Sequence, residues 1–314
     1  MKMIDCVVTY HQNPITCGVA KFNHILAASL KVPLLSLFDP ALLKFRMPFL
    51  SLKLSEFPDH DLFRLHDLLR YLPADTCIQL FLHGFSDTMT EYALIKQAKT
   101  VYCANQEIYE RLRTYQTSFP LVKLWSPSTL RPVGSGNQVG EIKVFSFGMA
   151  HKLRAHHYLK LKRLLDQTAR TYTIFLSTAL HEGTSFEEAF YITFEQLFLV
   201  FGDSLKFLGF LSDDAVLEYI RSCNYFSAFF EQGVRENNSS VITAMENGSV
   251  VITNTDNWSP PFLIHGENMF DINRTDELPC DMKVLKQIST NAKEAVGNLG
   301  WSNLIEEINR NSHE

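Results

Sequence analysis

Residues 229–254 read FFEQGVRENNSSVITAMENGSVVITN and contain the most informative pattern in the chain. Aromatic residues lead into a polar loop, a helix opens at 238–240 and ends at Gly248, and a buried strand follows at 250–253. A helix N-terminus attracts anions through its N–H groups and its dipole. Asn, Ser and Thr side chains there can bind phosphate oxygens, and Arg235 can clamp them. Helix capping by Asn238 or Ser239 is the alternative.

Short apolar runs alternate with helical patterns on both sides of this stretch, which predicts an α/β fold with parallel sheets. In the first half, strands are predicted at 4–10, 78–82 and 99–103, and helices at 18–30 and 105–113. In the second half, strands are predicted at 143–147, 172–177, 205–208, 225–230 and 250–253, and helices at 157–168, 186–201, 213–222, 239–247 and 282–308.

Proline and glycine interrupt the alternation at 125–140, WSPSTLRPVGSGNQVG, which predicts a linker between two domains. The expected organisation is a Rossmann-like domain over 1–125, a linker over 126–140, a second Rossmann-like domain over 141–281 and closing helices over 282–314. Open sheets bind ligands at the carboxyl ends of their strands. The fold expected is therefore two facing, doubly wound α/β domains with the ligand site in a cleft between them.

Composition and charge narrow the class of function. The 314 residues are 46% hydrophobic and 20% charged, as in globular proteins, and the net charge of −5 argues against a nucleic-acid partner. Residues 1–140 hold 14 Lys or Arg against 11 Asp or Glu, whereas the remainder holds 15 against 23. The basic first half favours anionic ligands or an anionic lipid surface.

The sequence contains no pattern that predicts a metal site or a membrane-spanning helix. The six cysteines form no CxxC motif, so each is expected to be buried singly as an apolar side chain. The acidic run at 59–61 is expected to be a polar turn, and no metal or cofactor is predicted. Without a leader pattern or a membrane-length apolar run, we expect a cytoplasmic protein. The basic, apolar segment 30–57 is either a peripheral contact at the inner membrane face or a packed helix pair.

Several motifs, taken in order, resemble the GT-B glycosyltransferases, specifically the retaining, group-one type that uses nucleotide sugars. In the second half they are KVFSFGMAHKLR (143–154), FLGFLSDDAVLEYI (207–220), SVITAMENGSVVIT (240–253) and FLIHGENMF (262–270). In the first half, GVAKFNHIL (18–26) is similar to the glycine turn of the family's N-terminal domain, and His83 to a histidine that faces the sugar.

The resemblance implies a set of site residues, with one departure. The family places two glutamates eight positions apart, and aligned on 244–245 those positions hold Arg235 and Thr243, so the donor loop is a variant. The catalytic candidates are His83, Glu231 and Glu236. The candidates for binding the donor nucleotide and its phosphates are Gly18, Gly148, Lys152, Arg154, Arg235, Asn237, Asn238, Ser239, Ser240 and Thr243.

The implied activity is metal-independent sugar transfer from a nucleotide-sugar donor. The acceptor would be a glycan or lipid-linked saccharide in surface polysaccharide synthesis, with the first domain on the acceptor side and retention at the anomeric carbon. Two alternatives stay open. One is a nucleotide-sugar epimerase of the same fold, and the other is a catalytically silent fold-mate that binds another transferase.

Overall fold

The computed structural model describes residues 4–15, 17–115, 120–130, 140–149, 153–179 and 188–312. The chain divides into two compact units. The first comprises Met1–Thr129 with Leu299–Glu314, and the second comprises Leu130–Asn298. The segment predicted as closing helices, 282–314, is thus shared between the units, a division that its helical pattern does not indicate.

The first unit contains a six-stranded parallel sheet in the order β2-β1-β3-β4-β5-β6. Its strands are β1 (Cys6–Thr9), β2 (Leu34–Ser36), β3 (Pro48–Leu52), β4 (Ile78–Leu82), β5 (Ala98–Cys103) and β6 (Leu121–Lys123). Its helices are α1 (Gly18–Leu30), α2 (Asp59–Tyr71), α3 (Met89–Gln97), α4 (Gln106–Arg113) and α10 (Trp301–Ser312), with 3-10 turns at Pro40–Lys44 and Leu54–Glu56.

The C-terminal helix belongs to the first unit because its apolar side joins that unit's core. Leu304 and Ile308 are fully buried there. Two indole hydrogen bonds fix the neighbouring backbone: Trp125 Nε1 donates to the carbonyl of Leu299 at 2.8 Å, and Trp301 Nε1 donates to that of Ser128 at 2.7 Å. The end of the chain is therefore pinned to the segment that leaves the sixth strand.

The second unit repeats the architecture with the sheet order β12-β11-β10-β7-β8-β9, again parallel throughout. Its strands are β7 (Ile142–Met149), β8 (Tyr172–Ala179), β9 (Leu205–Gly209), β10 (Tyr225–Ala228), β11 (Val250–Thr253) and β12 (Phe270–Asp271). Its helices are α5 (Ala155–Gln167), α6 (Glu188–Phe201), α7 (Asp213–Ser222), α8 (Ser239–Glu246) and α9 (Met282–Val296).

Each sheet reverses its winding direction at one place. In the first unit the chain proceeds to opposite sides of β1, so the reversal lies between β1 and β3. In the second unit it lies between β7 and β10. The carboxyl ends of strands at such a switch point form the usual ligand crevice of an open α/β sheet. The loops after β1, β3, β7 and β10 are therefore where function is to be sought.

Two segments differ from their predicted structure. Residues 59–61 begin α2 instead of forming a polar turn, and Asp61 accepts hydrogen bonds from Tyr10 Oη (2.6 Å) and Arg64 Nη1 (2.9 Å). Residues 30–57 contain two strands and two 3-10 turns, not a helix pair. Prolines at 33, 40 and 48 break helical periodicity there. None of the helices within the described residues has the length and apolarity needed to cross a bilayer.

Candidate functional site

The loop that follows β10 is held by one side chain from the end of β11. Asn254 is buried, and its Oδ1 accepts the N–H of Phe230 at 2.8 Å. Its Nδ2 donates to the carbonyls of Phe230 (2.9 Å) and Gln232 (3.2 Å). Its own carbonyl accepts the N–H of Val234 at 3.0 Å. Because one amide satisfies several loop groups, the path from 230 to 234 is tightly defined.

Arg235 then anchors the loop through a bidentate ion pair. Its Nη1 and Nη2 each lie 2.8 Å from an oxygen of Asp256, and Nη1 also donates to the carbonyl of Val234 at 3.0 Å. Burial opposes ionisation of Asp256, yet hydrogen bonds from Arg235 and the N–H of Trp258 outweigh it, and the pKa of that carboxyl is lowered. Both terminal nitrogens of the buried Arg235 are thus used inside the protein. Its assignment as a phosphate clamp stays a prediction.

Gly233 allows this pairing by its lack of a side chain. A Cβ at that position would lie 2.8 Å from Cγ, 2.9 Å from Oδ1 and 3.0 Å from the backbone nitrogen of Asp256. The loop after β10 and the loop after β11 can approach this closely only with glycine at 233.

The polar loop ends at the N-terminus of α8. Asn238 occupies the N-cap position, but its side chain makes no capping hydrogen bond to the helix; its Oδ1 accepts the N–H of Arg235 at 2.6 Å. Capping by Asn238, the alternative interpretation of this residue, is therefore not observed. Ser239 and Ser240 form the first positions of the helix and are half-buried. Their hydroxyls and the first N–H groups of the helix stand at the carboxyl edge of the sheet.

Of the other candidates in this unit, the structure brings two together. Arg154 precedes α5, and its Nη2 lies 3.4 Å from an oxygen of the exposed Glu231, so the loops after β7 and β10 meet there. Glu236 and Thr243 are buried, and Asn237 is half-buried. Gly148 is exposed near the end of β7, where a Cβ would meet no atom of the described residues within 4 Å. Lys152 lies outside the described residues.

The two candidates in the first unit have different surroundings. Gly18 is the first residue of α1, and a Cβ there would meet no atom of the described residues within 4 Å. His83 follows β4 and is buried against the rings of Phe22 and Phe81, with its Nε2 2.9 Å from Ser51 Oγ. Burial lowers the pKa of His83 to about 3, while Glu56 and Lys53 act in opposite directions. A neutral imidazole can hydrogen-bond, but so low a pKa makes it a weak general base.

Three residues that hold the loop were not predicted from the sequence as part of the site: Gly233, Asn254 and Asp256. A usable signal existed, because residues 254–256 are polar and directly follow a buried strand. Once β11 is known to pair with β10, polar residues after the two strands are expected to meet.

Two all-parallel, six-stranded sheets flanked by helices, each with one reversal of winding, define the class of fold: two Rossmann-like units of the GT-B type. The predicted α/β class with two doubly wound, Rossmann-like domains is thereby confirmed. Solved structures with this architecture match nearly the whole length of the chain.

HepE of Anabaena, in complex with UDP and glucose, matches with a TM-score of 0.71 and 14% identity, covering 98% of this chain and 99% of that one. Sucrose-phosphate synthase of Thermosynechococcus elongatus matches with a TM-score of 0.71 and 14% identity, covering 98% of each chain. A glycosyltransferase of Rickettsia africae matches with a TM-score of 0.60 and 8% identity, also covering 98% of each. No protein-family model and no curated protein sequence matches the chain. At these identities the likeness concerns the fold.

Proposed function

We propose that the chain is a glycosyltransferase that takes a sugar from a nucleotide-sugar donor bound at the second unit. Similarity of fold to HepE, whose structures contain UDP with glucose and UDP-glucose, supports a donor of this class. The acceptor proposed is a glycan or lipid-linked saccharide of surface polysaccharide synthesis. Transfer proceeds without a metal and with retention at the anomeric carbon.

The observation that carries the proposal is the loop between β10 and α8. It is fixed by Asn254 and by the pairing of Arg235 with Asp256, and it delivers the N-terminus of α8 to the switch point of the sheet. During transfer the bond from the anomeric carbon to the diphosphate oxygen breaks, and negative charge grows on the diphosphate. Donors that are already in place stabilise that charge without reorganisation. Ser239, Ser240 and the first N–H groups of α8 supply such donors.

The remaining chemistry is a substitution at the anomeric carbon. An acceptor hydroxyl oxygen forms the new bond to that carbon, its proton is released, and the nucleoside diphosphate departs. Arg154 lies beside the loop, 3.4 Å from Glu231, and its guanidinium is proposed to pair with the diphosphate when the donor binds. We assign Arg235 to positioning the loop, because its guanidinium is directed at Asp256.

One observation favours a second candidate function. In it the chain is a catalytically silent protein with the glycosyltransferase fold, and it binds another transferase. The positions where the resembled family carries its glutamate pair hold Arg235 and Thr243. Of the nearby carboxylates, Glu236 is buried and Glu231 is exposed and paired with Arg154. Loss of a catalytic carboxylate would leave the donor loop intact.

Calorimetric titration with UDP, GDP and CDP tests the proposal, followed by NMR of the sugar conjugates of the nucleotide that binds, incubated with the protein. We expect one nucleotide to bind and its sugar conjugate to be hydrolysed or transferred. Binding without turnover supports the non-catalytic candidate, and absence of binding to all three nucleotides overturns the donor site.

A charge variant locates the binding site. Ser240→Asp adds a carboxylate at the N-terminus of α8, where it favours the helix but repels a diphosphate. We expect affinity to fall by about tenfold or more with no loss of melting temperature. Thr290→Asp places the same charge on the exposed face of α9 and serves as the control. Equal nucleotide affinities of the two variants would show that the nucleotide does not bind at the N-terminus of α8.

A further inference from the structure

Three metal-ligating side chains from separate segments meet at the carboxyl edge of the first unit's sheet. His11 follows β1, Cys17 directly precedes α1, and Glu56 ends the 3-10 turn after β3. One ligand atom from each lies within 4.8 Å of the others. The cluster stands between β1 and β3, at the switch point of this sheet. It belongs to the first unit, whereas the loop assigned above to the donor belongs to the second.

We propose that His11, Cys17 and Glu56 bind a zinc ion. Tetrahedral zinc holds nitrogen and oxygen ligands at about 2.0–2.1 Å, which places the two atoms about 3.3 Å apart. His11 Nε2 and Glu56 Oε2 lie 3.3 Å apart. A thiolate sulfur at about 2.3 Å completes a three-ligand set that leaves the fourth position for water. This mixture of sulfur, nitrogen and oxygen is suited to zinc and not to magnesium or calcium.

Two features of the surroundings bear on coordination by a thiolate and a carboxylate. Cys17 is buried at the N-cap of α1, where the helix dipole stabilises an anion. Lys53 Nζ donates to Glu56 Oε1 at 2.7 Å, so the ammonium fixes one oxygen of the carboxylate while Oε2 faces His11. The Lys53 charge opposes an incoming cation, but thiolate and carboxylate together outweigh it.

The site has a structural consequence for the unit. A shared ion would hold the connection from β1 to α1 against the turn Leu54–Glu56, two segments that are separated by more than thirty residues in sequence. No step of the proposed sugar transfer runs through this ion. Because these ligands are far apart in the sequence, they form no motif of closely spaced ligands from which the cluster could be predicted.

Titration of the tag-free, chelator-treated protein with Zn²⁺ and with Co²⁺ tests the site directly. We expect one Zn²⁺ per chain to bind in competition with a chromogenic chelator and to raise the melting temperature. Co²⁺ is expected to give the near-ultraviolet charge-transfer band of a cobalt thiolate. Zinc binding should also release protons, which titrations in buffers of different ionisation enthalpy measure.

Variants separate this site from adventitious binding. Cys17→Ser removes the sulfur and is expected to abolish the cobalt thiolate band and weaken Zn²⁺ binding by about tenfold or more. Glu56→Gln keeps the thiol and should weaken binding while retaining the band, which covers the case in which the first variant misfolds. Cys77→Ser is the matched control, a half-buried thiol of the same unit outside the cluster. No band in the parent protein, or a band lost in the Cys77 variant and kept in the Cys17 variant, overturns the proposal.

Discussion

Where β10 ends in the second unit, the following loop is fixed by an amide, an ion pair and a glycine, namely Asn254, Arg235 with Asp256, and Gly233. Where β1 and β3 end in the first unit, the side chains that meet are His11, Cys17 and Glu56, all of which change charge or bind metals. The first arrangement satisfies its polar groups with one another through hydrogen bonds and an ion pair, whereas the second brings together three side chains of the kinds that bind metal ions. Two sheet edges with the same kind of switch point therefore carry different sets of side chains, and we propose a diphosphate as the ligand of one and a zinc ion as the ligand of the other.

Removing Asp256 is expected to have the largest effect on this contrast. Asp256→Ala leaves the buried guanidinium of Arg235 without its carboxylate, and we expect the free energy of unfolding to fall by about 3 kcal/mol. Nucleotide affinity should fall with it, because the loop loses its anchor. Urea unfolding measures the change, with the exposed Asp276→Ala of the same unit as the control, expected to change stability by less than about 0.5 kcal/mol. An unchanged unfolding midpoint would show that the pair does not hold the loop.

Substitution of Gly233 tests the same loop by steric means. In Gly233→Ala the new methyl group would overlap the side chain and backbone of Asp256, so we expect a loss of about 2–3 kcal/mol. Gly148→Ala adds a methyl group that meets no described atom within 4 Å, and this variant should unfold at the parent's temperature in thermal scans. Equal melting temperatures of the two variants would mean that the two loops separate easily.

The regular elements with strong periodicity were predictable. The helix at 18–30 has its predicted bounds because Phe22, Leu26 and their neighbours recur on one face. The three-residue strands β2 and β6 are only partly buried and carry too little pattern to distinguish them from loops. α2 and β3 were not predicted because Pro58 and Pro48 stand at their starts. Proline is tolerated at the start of a helix or a strand, but in a sequence it indicates a break in regular structure.

The candidate site was predictable only to the extent that it is local in sequence. The loop before α8 is one continuous segment, so its polar residues and helix start could be recognised together. The pairing of Arg235 with Asp256 depends on β11 lying beside β10, and the cluster of His11, Cys17 and Glu56 depends on β1 lying beside β3. Such proximity is created by strand order, which neither spacing nor composition contains.

The pH response of the first unit sharpens the comparison. His83 has a folded pKa of about 3 against an ordinary value of 6.5, so only the unfolded chain gains a proton as the pH falls below 6.5. Stability is therefore unaffected by His83 above that pH and declines below it, by about 2 kcal/mol at pH 5. In His83→Gln the loss between pH 7 and pH 5 should be smaller by that amount.

Fluorescence in a Trp258→Phe background isolates the measurement, because the two remaining tryptophans, Trp125 and Trp301, belong to the first unit. His66→Gln, which removes an exposed histidine from α2, is the control for loss of an imidazole from the first unit. Parallel pH profiles of the parent and the His83 variant would mean that His83 has the same pKa in the folded and the unfolded protein.

Single hydroxyl deletions at the start of α8 are expected to have the smallest effect and to be the most specific. Ser239→Ala and Ser240→Ala each remove one phosphate donor, which should weaken nucleotide binding by about 0.5–1.5 kcal/mol, or roughly two- to tenfold. Both side chains are half-buried at the helix start, and the loop-holding contacts of Asn254 and Asp256 remain, so melting temperature should stay close to the parent's. Thr290→Ala, on the exposed face of α9, controls for loss of a hydroxyl from a helix. Weakened nucleotide binding with an unchanged melting temperature would show that the two serines bind the ligand, whereas Asn254 and Asp256 hold the loop. Unchanged affinity in both serine variants would mean that this edge of the second unit has only a structural role.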